Sequence, residues 1–118
     1  MKPQRMRLSR RAAFSLQAES KRLNGLPALR VTRPGRWGNP FTIADIAKRY
    51  DLDPDAAQTK AVELCGAWLR GTLDPELSPG PPPGRDAIRT ELAGHNLACW
   101  CRPGTACHAD VLIELANS

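Results

Sequence analysis

Aromatic side chains are scarce, at 5% of 118 residues, and no run approaches the roughly 18 consecutive apolar residues of a membrane-spanning helix. A bilayer span is therefore not expected. The basic N-terminus lacks the apolar stretch of a secretory signal, so the expected compartment is the cytoplasm. No internal repeat is present. Neither a Ser-His-Asp set nor an obvious pair of carboxylates points to a familiar hydrolytic mechanism. The four cysteines form no C-x-x-C pair, and in a cytosolic chain they read as reduced thiols or metal ligands rather than a disulfide framework.

What is present fits one domain of common size. Hydrophobic residues make up 42% of the chain, enough for a single modest core, while 9 glycines and 11 prolines imply long irregular connections. Charge is unevenly placed. Residues 1–49 hold 12 lysines and arginines against 2 acids, and residues 50–118 hold 5 against 10. The first half therefore welcomes an anion, whether nucleic acid or a phosphorylated small molecule. Equally, it fits a solvated surface whose arginines pair with the acidic half.

Along the chain, residues 1–24 read as a basic and mostly irregular arm, because arginines interrupt Met6, Leu8, Phe14 and Leu16 without a helical period. Residues 25–118 read as an α/β domain. A short strand is predicted over Ala28–Thr32, then a glycine-bearing loop to Pro40. Thr42 and Asp45 fit a capped short helix with Ile43, Ile46 and Ala47 on one face. Asp53-Pro54 is a strong helix start, and Ala57, Ala61, Leu64, Trp68 and Leu69 keep the helical period up to Gly71. Residues 72–84, with Pro79, Pro81, Pro82 and Pro83, break structure as an exposed loop. A short helix follows over Arg85–Ala93, a buried strand over Asn96–Cys101 and a last helix to about Ala116. This order predicts a small single-domain α/β fold, a Rossmann-like layout with a short sheet and flanking helices, and ligands beyond the carboxyl ends of its strands.

Two segments carry candidate chemistry, each after a predicted strand. In Thr32-Arg33-Pro34-Gly35-Arg36-Trp37-Gly38-Asn39, the two arginines offer forked donors for phosphate. Trp37 offers a stacking face, Gly38 lets backbone approach closely, and Asn39 both donates and accepts. A turn whose Trp37 and Phe41 merely cover the core explains the same residues. The second segment runs from Cys99 to Asp110. Strand alternation puts Cys99 and Cys101 on one face, and Cys107-His108 falls at a helix N-terminus, where a thiolate is favoured. Cys99, Cys101, Cys107 and His108 supply the residue types of a zinc site, although adjacent Cys107 and His108 serve one ion with difficulty. Alternatively, Cys107, His108 and Asp110 face a bound anion as catalytic groups, or Cys99 and Cys101 are simply core. Cys65, beside Leu64, reads as core.

On these residues the chain resembles an uncharacterised bacterial and phage family, domain of unknown function 4326. The resemblance rests on the basic arm with Pro3, on Arg33-Pro34-Gly35-Arg36-Trp37-Gly38-Asn39-Pro40-Phe41, and on Leu97–Cys101 with Cys107–Leu112. Ala13-Phe14 stands where members often have Gly-Trp. The resemblance implies that both segments form one pocket, and it assigns no reaction. The expected ligand is a nucleotide- or nucleoside-like phosphorylated molecule, contacted by Thr32, Arg33, Arg36, Trp37, Gly38, Asn39 and Cys101, with Cys107, His108 and Asp110 at the reacting centre. Any reaction would be transfer or hydrolysis at a nucleoside-like bond, with no cofactor. The alternative is a zinc-stabilised module that binds nucleic acid or acts as an adaptor through the basic arm.

Overall fold

The structure, a computed structural model, describes residues 2–118. Three short strands form one parallel sheet: β1 (Arg5–Arg7), β2 (Ala28–Arg30) and β3 (Asn96–Cys99), in the order β1-β3-β2. The central strand β3 is buried along its whole length, as a parallel strand flanked on both edges should be. Arg5 stands opposite Leu97 on one side of it, and Leu29 stands opposite Leu97 on the other. The ladders run on past the strand ends through Leu8 N–H to Cys99 O at 2.8 Å and Val31 N–H to Ala98 O at 2.9 Å.

Five α-helices complete the fold: α1 (Leu16–Asn24), α2 (Ile43–Tyr50), α3 (Pro54–Arg70), α4 (Arg85–Leu92) and α5 (His108–Ala116). Their ends follow local chemistry. The Thr42 hydroxyl accepts from Asp45 N–H, and the Asp53 carboxylate accepts from Ala56 N–H with Pro54 behind it. Gly71 closes α3 at φ 78°, a conformation glycine adopts without Cβ strain. Residues 72–84 hold only a 3₁₀ turn, Pro75–Leu77, and are tied to α3 where Trp68 Nε1–H donates to Gly80 O. None of the helices is long and apolar enough to cross a membrane.

The expectation of a mostly irregular arm over residues 1–24 fails, because β1 and α1 are built into the fold. The reason is chemical. The buried residues of α1 are Ser20 and Asn24, so the helix docks through polar groups and shows no apolar stripe. These meet the fully buried Asn96 at the start of β3. Asn96 Nδ2 donates to Ser20 Oγ at 2.7 Å and to Asn24 Oδ1 at 2.8 Å. Its Oδ1 accepts from Asn24 Nδ2 at 2.8 Å and from Gln4 N–H at 2.9 Å. Every polar atom of this amide is paired, which is the condition under which a buried polar network stabilises a fold. It locks the N-terminal arm to the amino end of the sheet.

Two apolar clusters fill the interior. The larger packs the sheet against α3, α4 and α5 through Val31, Ile88, Leu92, Leu97 and Leu112; the smaller joins α2 to α3 through Ile46, Ala57, Ala61 and Leu64. Phe41 touches both. Asn96→Ala removes four hydrogen bonds and leaves buried partners unpaired, so a loss of about 1–3 kcal/mol is expected. Denaturant unfolding checks it, and an unchanged midpoint would mean that the clamp contributes nothing.

Candidate functional site

At the carboxyl ends of β2 and β3, the two apolar clusters leave a cavity of about 150 Å³ between them. Val31, Thr32 and Arg33 leave β2 along one wall, and Cys99, Trp100 and Cys101 leave β3 along another. Cys107 and His108 close it at the start of α5, while Ile43, Gln58, Ala61 and Val62 of α2 and α3 face them. Open α/β sheets present ligands at this end because the strands terminate there while the helices begin. Among the described residues, no Asp or Glu lines the cavity.

His108 holds the walls together. Its Nε2 lies 2.8 Å from Val31 O and 2.9 Å from Trp37 O. Both partners are acceptors, so Nε2 carries the proton and donates to both. Burial lowers the ring's affinity for a second proton, so its pKa sits below the ordinary 6.5. Nδ1 of this neutral ring remains an acceptor, 3.9 Å from Cys107 Sγ. The ring thereby fastens α5 to both the end of β2 and the loop 33–39.

That loop is equally constrained. The Arg33-Pro34 peptide is cis. Asn39 spends both ends of its side chain within the protein: Nδ2 donates to Ala61 O, and Oδ1 accepts from Phe41 N–H. A Cβ on Gly38 would lie 2.7 Å from Arg33 N, so the glycine is required by backbone approaching backbone rather than by a ligand. Arg36 pairs with Glu91 and stacks over the Trp37 ring, 4.8 Å from its centroid. Arg36, Trp37 and Gly38 thus face a separate small cleft against α3, while Thr32, Arg33 and Asn39 reach the cavity. Arg33 donates to Asn39 O and takes part in none of the ion pairs among the described residues.

The thiols gather although β3 ends at Cys99, short of the predicted Cys101, so Cys101 and Cys107 join from the chain beyond the strand rather than by strand alternation. Cys107 and Cys99 sulfurs stand 3.1 Å apart, and the sulfurs of Cys99, Cys101 and Cys107 all lie within 4.8 Å of one another. Cys107 donates to Cys99, which lowers the pKa of Cys99 and, with burial, raises that of Cys107. Burial raises that of Cys101. His108 is not part of this group: its open Nδ1 lies 3.9 Å from Cys107 Sγ but not within 4.8 Å of all three sulfurs. Cys65 sits apart in the core, pushed up to about 12 by burial alone. Asp110 stands outside the cavity, where its carboxylate takes the Arg5 guanidinium at 2.8 Å. Arg5 also donates to Thr105 O and Arg102 O, and so pins the loop between Cys101 and Cys107.

The profile describing a domain of unknown function, DUF4326, matches residues 16–118. The chain belongs to this family. No curated protein and no solved structure matches it. Within this DUF4326 domain both sequence segments meet at the cavity: Thr32, Arg33, Asn39, Cys101, Cys107 and His108 line it, whereas Arg36, Trp37, Gly38 and Asp110 do not. Gln58 is the clearest addition. One turn into α3, its Nε2 donates to Ala106 O at 2.6 Å and to Thr105 Oγ1 at 3.2 Å. Nothing in the local pattern distinguishes it from a surface glutamine. Trp100, 44% exposed, also flanks the opening, with Arg10 over its ring.

Two outcomes follow. Because the folded protein resists protonating His108 and the unfolded chain does not, stability falls as pH drops below 6.5, by up to about 1.4 kcal/mol per pH unit from this group. His108→Gln, which keeps an Nε2 donor without titrating, should flatten that slope in urea midpoints measured across pH; an identical slope contradicts it. Gly38→Ala should destabilise by about 1–3 kcal/mol through the Arg33 contact, and an unchanged melting temperature would show that the loop yields.

Proposed function

We propose that this domain binds a small phosphorylated, nucleoside-like molecule in the cavity at the carboxyl ends of β2 and β3. The observation that carries the reading is electrostatic. Among the described residues the cavity contains no carboxylate, and Arg33, the cationic side chain that lines it, takes part in no ion pair. An arginine at the edge of such a space, paired with no acid, suits a phosphate or carboxylate. A volume near 150 Å³ lies below the roughly 300–1,000 Å³ of pockets that engulf whole drug-sized ligands. It accommodates one ring or one sugar-phosphate unit, with the remainder lying over Trp100 at the mouth. Trp100 therefore takes the stacking role first assigned to Trp37, and Arg33 the charge role first shared with Arg36.

The reading is one of binding. The expected catalytic set is divided, since Cys107 and His108 line the cavity, with His108 Nε2 held by two carbonyls and Nδ1 open, and Asp110 faces Arg5 outside it. Transfer or hydrolysis at a nucleoside-like bond would have to draw its acid or base from His108 Nδ1, the cysteine cluster or the ligand itself.

A second reading draws on the exposed Trp100, the Arg10 stacked on it, and the exposed Arg7 and Arg11 beside them. Basic side chains around an accessible aromatic are the elements of single-stranded nucleic-acid binding. Arg5 does not belong to that surface, being held by Asp110.

A thermal-shift panel of nucleosides, nucleoside monophosphates and inorganic phosphate separates the two. Stabilisation by a monophosphate, lost in Arg33→Ala and kept in Arg10→Ala/Arg11→Ala, is expected. No shift with any of them, together with oligonucleotide binding that weakens steeply with salt and fails in the Arg10/Arg11 variant, would overturn the first reading in favour of the second.

A further inference from the structure

We infer that Cys99, Cys101 and Cys107 form a three-thiolate site for one zinc ion, with the fourth coordination position open to the cavity. Three sulfurs from two separated stretches of chain converge within 4.8 Å, and all three also line the cavity wall. Zinc–sulfur bonds of ~2.3 Å at tetrahedral angles place sulfurs about 3.8 Å apart. The Cys99–Cys107 pair stands at 3.1 Å and neither other spacing exceeds 4.8 Å, so modest side-chain shifts bring the sulfurs to that separation.

The surroundings fit the charge of such a site. Three thiolates around Zn²⁺ leave one net negative charge, and the Arg5 guanidinium lies close enough to act on both Cys99 and Cys101. Arg5 is largely shielded from solvent, and it anchors the 102–105 loop that connects Cys101 to Cys107. The ligand-bearing loop is thus held before any ion arrives. Cys65 makes the contrast: a buried thiol with no sulfur neighbour and no access to the cavity.

Among the described residues no fourth ligand atom joins the cluster. His108 Nε2 is held by two carbonyls, and its open Nδ1, 3.9 Å from Cys107 Sγ, does not come within 4.8 Å of all three sulfurs. A closed structural zinc site has four protein ligands, whereas three with one position open is the arrangement of sites that bind or activate a small molecule. On binding, the ion displaces thiol protons, which pass to solvent, and the thiolates coordinate through sulfur lone pairs with no change in oxidation state. Because the site is already anionic, its fourth position favours a neutral donor such as water or a ring nitrogen. The inference does not rest on the phosphorylated-ligand reading, since metal binding is read with no such ligand added.

The experiment uses the full chain, reduced and freed of metal, titrated anaerobically with cadmium as a spectroscopic substitute for zinc. The thiolate-to-cadmium absorption should rise to one ion per chain and vanish when zinc is added in excess. Cys65→Ser should leave it unchanged, and Cys101→Ser, at the half-buried position, should diminish it and weaken binding by more than about tenfold. Circular dichroism establishes that each variant is folded. With cobalt bound instead, added imidazole should shift the visible d–d spectrum, as it does only where a position is open. A folded wild-type protein with no saturable absorption, or absorption undiminished in Cys101→Ser, would overturn the site. A cobalt spectrum indifferent to imidazole would overturn the open position.

Discussion

One imidazole proton joins three parts of this molecule. The Nε2–H of His108 is shared between Val31 O and Trp37 O, and the ring itself begins α5. Without that donor, two carbonyls at the end of β2 and in the 33–39 loop would lose a buried partner, and α5 would lose its link to both. The cavity exists because these three pieces are held at a fixed separation while α2 and α3 close the opposite side. A buried neutral histidine suits the task, since it donates from one nitrogen and leaves the other an acceptor beside Cys107. The same commitment fixes the ring's position and tautomer, so that His108 acts as a fastening with Nδ1 open.

The opposite end of the sheet is secured by different means. Asn96, Asn24 and Ser20 form a closed polar network that anchors the N-terminal segment. The short strands, of three or four residues each, bury too little apolar surface to position themselves, and the two polar fasteners at the sheet's ends compensate. At the carboxyl end of the sheet, backbone groups and Arg5 organise the loops, and three cysteine sulfurs and the cation Arg33 line the cavity.

Much of the architecture was legible in the chain. The Thr42 and Asp53-Pro54 starts and the Gly71 stop locate α2 and α3 because caps are local chemistry, readable from a few adjacent residues. The α/β class and the meeting of both motifs beyond the strand ends also follow from element order. The N-terminal elements were not legible, since α1 docks through Ser20 and Asn24 and periodicity detects only apolar stripes. Within the 33–39 loop, residue type did not reveal the internal partners: Arg36 pairs with Glu91 and stacks on Trp37, Gly38 meets the Arg33 backbone, and Asn39, while lining the cavity, also closes an internal turn. Gln58 was invisible because its partners, Ala106 and Thr105, are brought to it only by the tertiary fold.

The account's central claim is the location of the site, and an amide chemical-shift map of the labelled protein with a nucleoside monophosphate tests it most directly. The largest changes should fall on Thr32, Arg33, Gln58 and Ala106, which surround the cavity between the strand ends and α3. Changes confined to Arg7 through Arg11, with those cavity amides unmoved, would place binding on the outer basic face and contradict it.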